Sequence, residues 1–428
     1  MEKMSTQYST YVRILQRELV CAMGCTEPIA IAYCAAVARA ELGALPDRLD
    51  IEASGNIIKN VKSVIVPNTD GRRGIEVAAA IGVLGGDASA RLEVISHVDQ
   101  AAKDMLPEYL KKTPVAIHMA QSPFLLDLTV TAFHGDSYAK VRIVNEHTNI
   151  VHVEHNGQVT LEKDLLPSVQ DTQADLPDYT LLTVQDIYEF AATCDLADVR
   201  EVIASQIEKN TRIAEEGLHS TYGANIGKVL LKSGADSVRV RAKAYAAAGS
   251  DARMNGCELP VVICAGSGNQ GLTTSLPVIV YAEELHADEE TLYRALVISN
   301  LVTLHIKENI GRLSAYCGAV CAGAGAGAGI SYLYGGDCDV ISHTIVNTLA
   351  VTSGIVCDGA KSSCAAKIAM AVEAGILGFE MYRNGQQFYG GEGLVLTGVE
   401  NSIRNFGRLG REGMRETDCE IIRMMVEQ

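Results

Sequence analysis

The chain has no tryptophan, six phenylalanines and ten prolines in 428 residues. Aromatics make up only 5% of it, so a core built on large rings is excluded and Ala, Gly and Val must fill the interior. Helices are therefore expected to pack closely through small side chains. Positive charge is also short: 36 Lys and Arg against 52 Asp and Glu leave a formal net charge of −16. A surface this acidic repels nucleic-acid phosphates and anionic membranes, so neither partner is expected. The least charged stretch, residues 313–334, is long enough on paper to span a bilayer. Its AGAGAGAG centre contributes little transfer free energy, so it reads as a buried Gly/Ala-rich segment. Residues 1–20 lack the apolar core of a secretory signal, and a cytoplasmic location is expected.

Other absences narrow the chemistry. The two C-x₃-C spacings, Cys21/Cys25 and Cys317/Cys321, lie far apart in sequence, unlike the neighbouring knuckles of structural zinc, and a compact C-x₃-C-x₂-C run is missing. No lysine stands in a Schiff-base context, which argues against pyridoxal phosphate. Twelve cysteines are present, but without a signal segment a disulfide framework is not expected. Most of these thiols are expected to pack as small hydrophobes.

What remains, 48% hydrophobic and 21% charged, suits a packed globular chain of two or three domains. Helical periodicity covers residues 10–43, broken inside GCTEP (24–28), with Pro28 read as the first residue of a second helix and Thr26 as its cap. Residues 46–165 alternate Val, Ile and Thr with polar residues, the pattern of strands, including KSVIVP and ARLEVIS. Asn156-Gly157 reads as a hairpin turn, and helices are expected near 74–84 and 98–110. Residues 165–182 read as a linker. From 183 to 428 the pattern is helical. The expected fold class is thus α+β: an α+β layer domain followed by a mostly α-helical domain, with residues 1–45 packing on the latter.

Four cysteines keep unusual local company. Cys25 lies in GCTEP, Cys317 in SAYCGAVC, and Cys357 and Cys364 in CDGAKSSC. Cys25 and Cys357 each lie beside a turn and a charged residue that a purely apolar thiol does not need, and Gly-rich turns offer N–H groups to a thiolate. Widely spaced single cysteines suit a cubane cluster with one open iron. GSGNQG (266–271) matches a dinucleotide fingerprint, but Pro277 interrupts the expected helix and no parallel strand follows. The loop is better read as offering N–H groups with Ser267, Asn269 and Gln270 to a small anionic substrate. SGNIIKN (54–60) reads as a similar polar loop with Asn56, and TDGRRG (69–74) adds Arg72 as a carboxylate ligand. Lys307, His305 and Lys361 are the candidate general bases.

GCTEP, SGNIIKN, GSGNQG, SAYCGAVCAGAGAGAGISYLYGG and CDGAKSSCAAKI occur in that order. Together they resemble the L-cysteine desulfidase family, relatives of the iron–sulfur L-serine dehydratases, over residues 11–410. The resemblance implies a [4Fe–4S] cluster held by Cys25, Cys317 and Cys357, with Cys364 the alternative to Cys357. It implies an amino-acid substrate and elimination of hydrogen sulfide from L-cysteine, with L-serine the rival substrate. A non-catalytic cluster sensor is the reading from another class. A homodimer is the candidate assembly.

Overall fold

The computed structural model describes residues 2–165, 177–234 and 236–427. Most of the expected linker, residues 166–176, therefore lies outside the described residues.

The chain opens with α1 (Glu2–Glu18), β1 (Cys21–Met23) and α2 (Thr26–Leu42). The break expected within GCTEP is present, but Cys25 stands at the cap position and Pro28 is the third helical residue. Then come β2 (Arg48–Ala53), α3 (Gly55–Val61), α4 (Ile75–Gly85) and α5 (Gln100–Lys112). Strands β3 (Val115–Met119), β4 (Asp127–His134), β5 (Ser137–Val144), β6 (Ile150–His155) and β7 (Gln158–Glu162) complete a six-stranded sheet ordered β3-β2-β4-β5-β6-β7. Only β2 and β3 are parallel. In the β4–β5 register Leu128 faces Ile143, Val130 faces Val141 and Ala132 faces Ala139, and all six are buried. That row is one face of the pleat, and α2 packs across it with α4 behind. The β6–β7 turn holds Asn156 at φ 50° and Gly157 at φ 83°, as the hairpin reading requires.

Two expected strands are absent. ARLEVIS instead forms a 3₁₀ turn, Ala88–Glu93, capped by Asp87 accepting from the Ser89 N–H at 2.9 Å. KSVIVP runs without a strand, with a single bridge between Ile65 and Arg73. SGNIIKN is not a loop: it forms α3.

The second half holds α6 (Val184–Thr193), α7 (Arg200–His219), α8 (Ile226–Ser233), α9 (Val238–Met254), β8 (Pro260–Val262) and α10 (Gly268–Glu284). It continues through α11 (Glu289–Ile310), α12 (Gly318–Leu333), α13 (Cys338–Thr352), α14 (Cys364–Arg383), α15 (Val399–Arg408) and α16 (Arg415–Val426). An α+β region is thus followed by a nearly all-helical one. Pro277 does not interrupt α10, which runs through it. The Gly/Ala run is α12, buried between α11 and α14. A Cβ on Gly323 would lie 2.4 Å from the Ala371 carbonyl oxygen of α14, and one on Gly325 2.4 Å from the Ser299 carbonyl oxygen of α11. Glycines two residues apart thus let the backbone approach two different neighbours. No helix among the described residues is long and apolar enough to cross a membrane.

Strand β8 pairs only with β1, antiparallel, and no parallel crossover surrounds GSGNQG. The dinucleotide-fingerprint geometry is therefore not formed.

Candidate functional site

Four helices open on one cavity of about 120 Å³: α2 at Cys25, α10 at Ser267, α12 at Cys317 and α14 at Cys364. None of the four uses a side chain to cap its first turn. Several other helices are capped, with Asp99, Ser237, Asp288 and Asp337 each accepting from an N–H of their own helix. Uncapped N-termini carry partial positive charge and free donors, which favours an anion.

A short pairing of two connecting segments brings the motifs together. Tyr316 bridges Val356, the Cys317 N–H donates to the Ile355 carbonyl at 3.1 Å, and the Cys357 N–H to the Ala315 carbonyl at 2.6 Å. Gly359, at φ 87°, lets the next turn pass the Lys59 carbonyl oxygen, which a Cβ would approach to 2.4 Å. Lys59 in turn is tied to Asp418 of α16 at 2.6 Å, and the Asn56 amide donates to the same carboxylate at 2.9 Å. Both side chains reach the cavity from α3.

Polar groups are left over in this cavity. Asn56 Oδ1, Gln270 Oε1, Arg253 Nε and the Tyr316 hydroxyl are buried without a hydrogen-bond partner among the described residues. The two amides are not free to turn. The Asn56 nitrogen must face the Asp418 carboxylate, and the Gln270 nitrogen the Ala265 carbonyl at 3.4 Å. Two acceptors therefore point at nothing. Two cations are also unmatched. Arg253 and Lys307 are buried and line the cavity, yet no carboxylate pairs with either among the described residues. The one carboxylate lining the cavity among the described residues, Glu27, accepts from Asn60 at 2.9 Å and from the Cys25 thiol at 3.2 Å. Burial works to raise its pKa, but the His147 imidazole, 3.7 Å away, and the thiol donor hold it down to about 2, so it stays ionised.

The expected residues divide as follows. Asn56, Ser267, Asn269, Gln270, Lys307, Cys25, Cys317, Cys357 and Cys364 all line this cavity. Arg72 does not: with Arg73 and Glu76 it lines an open groove between α4 and β3. His305 is held by Glu400 of α15 at 2.7 Å, and Glu400 also caps the Val184 N–H. The Lys361 ammonium is engaged by Asp358 and the Gly359 carbonyl. Of the three candidate bases, Lys307 alone faces the cavity. Glu27, inside GCTEP, was legible in the sequence as a further possible base, whereas Arg253 and His147 were passed over, and Arg253 lies in no motif.

The iron–sulfur expectation is corrected by the geometry. Among the described residues no group of three or more His, Cys, Asp or Glu is gathered so as to hold a metal ion. The thiols are engaged otherwise. Cys25 donates to Glu27, and Cys364 to the Gly359 carbonyl at 3.6 Å. Burial and the neighbouring carboxylate push the Cys25 thiol well up, and burial with the adjacent Cys357 pushes Cys317 up to about 12. The [4Fe–4S] cofactor, the metal-binding role of Cys25, Cys317, Cys357 and Cys364, and the iron–sulfur character of the helical region are withdrawn together.

With this geometry established, relatives place the chain. Residues 89–423 match the family described as serine dehydratase alpha chain. The chain belongs to that family. It is also 57% identical to a UPF0597 protein of Desulfitobacterium hafniense, over 100% of this chain and 99% of the relative. A UPF0597 protein of Lachnoclostridium phytofermentans is 49% identical over 98% of this chain and 100% of its own length. One from Finegoldia magna is 47% identical over 98% and 99%. The family relation supports a serine-dehydratase-like catabolic enzyme, and the shared region contains Arg253, Gln270, Lys307, Cys317, Cys357 and Cys364.

Proposed function

We propose that this chain is a lyase that removes the β-substituent of a small free α-amino acid, with L-cysteine as substrate and hydrogen sulfide, pyruvate and ammonia as products. The observation that carries this reading is the mixture of unmatched groups in one cavity. Two fixed amide oxygens and an ionised Glu27 suit an ammonium group, while the unpaired Arg253 and four uncapped helices suit a carboxylate. An α-amino acid zwitterion satisfies both sets at once, and a buried polar group left unpaired costs about 1–3 kcal/mol.

The reaction breaks the Cα–H and Cβ–S bonds and forms a C=C bond. Lys307, acting as its neutral amine, is the group proposed to take the α-proton, and the sulfur leaves as hydrosulfide with the electron pair of the Cβ–S bond and takes that proton from Lys307 to become hydrogen sulfide. The aminoacrylate takes a proton at Cβ to become the imine, and one water hydrolyses it to pyruvate and ammonia. Charge that builds on the carboxylate side as the proton departs meets the helix N-termini and Arg253, positioned before the reaction begins. The wall formed by Ala319, Ala360, Ile368 and the cysteines is weakly polar. It suits a sulfur leaving group better than a hydroxyl, which would lose its hydrogen bonds to water there.

Serine deamination is the second reading, favoured by the description of the matching family. A pyruvate assay with L-cysteine and L-serine in parallel separates the two. Faster turnover of L-cysteine is expected, a reversed preference selects the serine reading, and inactivity on both removes the lyase assignment.

A further inference from the structure

We propose that Arg253 fixes the substrate's α-carboxylate and so restricts the site to amino acids whose carboxylate is free. This rests on the amino-acid reading above. Arg253 ends α9 on the cavity side and is 2% exposed. A guanidinium at that depth is costly unless an anion meets it. Three neighbouring cations have one: Lys59 has Asp418, Arg312 has Glu18 and Lys367 has Asp358. Arg253 has only an amide, since Nη1 donates to Asn269 Oδ1 at 3.1 Å. Its Nε is unpaired, and no hydrogen bond engages Nη2 among the described residues.

The side chain is also held in one place. A Cβ at Gly268 would lie 2.2 Å from Arg253 Nε, so the guanidinium rests against the bare backbone of the first residue of α10. Asn269, the next residue, grips the other end of the fork. An anion in the cavity therefore meets a fixed planar donor and the uncapped N-terminus of α10 together. Lys307 has no planar fork, so the two side chains are not equivalent. Asn269 is then a positioning residue that acts through Arg253.

The test is binding of L-alanine, which has no β-leaving group, to the full-length protein by calorimetry. For Arg253→Gln, L-alanine affinity is expected to fall roughly 30-fold or more, and for Arg253→Lys by an intermediate factor because charge survives but the fork does not. Ethylamine, which lacks the carboxylate, is expected to bind wild type and variants equally weakly. A folded Arg253→Gln protein that binds L-alanine within about twofold of wild type overturns the assignment. Should Arg253→Gln fail to fold, Asn269→Ala decides: a raised KM with kcat kept supports the positioning role, and an unchanged KM overturns it. Failure of the underlying reading looks different. Wild type that binds propanoate but not L-alanine, with propanoate lost in Arg253→Gln, removes the amino-acid substrate and leaves Arg253 as the carboxylate ligand.

Discussion

Replacing Gly323 by alanine sets two effects of opposite sign against each other. In a helix interior, alanine is preferred over glycine by about 1 kcal/mol, so propensity alone predicts stabilisation. The packing predicts the reverse. The new methyl would sit 2.4 Å from the Ala371 carbonyl oxygen and 2.6 Å from its carbon. Both are backbone atoms of α14, and no rotamer change relieves the contact. Reaching an ordinary separation requires α12 and α14 to move apart by about 1 Å, and such overpacking costs typically about 1–3 kcal/mol, occasionally more. The net expectation is destabilisation by about 1–2 kcal/mol, read as a lower urea midpoint at unchanged slope. Gly354 is the control, because a Cβ added there would meet nothing within 4 Å. Gly354→Ala is expected to be neutral or stabilising by up to about 1 kcal/mol. Both helices begin at the cavity, with Cys317 and Cys364, so the displacement caused by Gly323→Ala should also lower turnover. A Gly323→Ala protein as stable as wild type would refute the close-packing account of the Gly/Ala helix.

Three further outcomes are expected. Asp418→Ala leaves the Lys59 ammonium buried without its acid and Asn56 without its acceptor, which should cost about 3–5 kcal/mol in denaturant unfolding. Asp251, raised by burial to about 6, favours its protonated form in the folded chain. The favourable contribution is complete below the usual carboxyl value near 3.8 and is lost as pH rises through about 6. Asp251→Asn should therefore raise stability at pH 7.5, on the order of 1–2 kcal/mol, and flatten the melting-temperature profile between pH 4 and 6. Lys307→Met should lower pyruvate formation by roughly 10²–10⁴-fold while L-alanine still binds, as measured by calorimetry beside the kinetic assay.

Much of the framework could be read from local pattern. The bounds of α11, the strands β4 to β6 and the Asn-Gly hairpin follow from periodicity and turn chemistry. The misread segments share a cause. ARLEVIS alternates like a strand, but Asp87 satisfies the Ser89 N–H locally and turns the chain. In SGNIIKN the polar residues suggested a loop, whereas Lys59 and Asn56 are drawn into a helix by a carboxylate 359 and 362 residues away. Cys25, Cys317, Cys357 and Cys364, read from the sequence as cluster ligands, line one cavity without forming a metal site among the described residues. Their state was not legible, because it depends on the Glu27 acceptor and on burial that only the packed structure supplies. Arg253 was missed for a related reason. A lone arginine at the end of a helix ordinarily complements the dipole in solvent, and nothing local reports that this one is buried without an acid.

The most direct test measures sulfide and pyruvate together during the first turnovers of L-cysteine, with protein purified under exclusion of oxygen so that the cavity thiols stay reduced. Equal amounts of both products from wild type, and neither from Lys307→Met, are predicted. Release of neither product by folded wild-type protein, from L-cysteine or from L-serine in its place, would contradict the account.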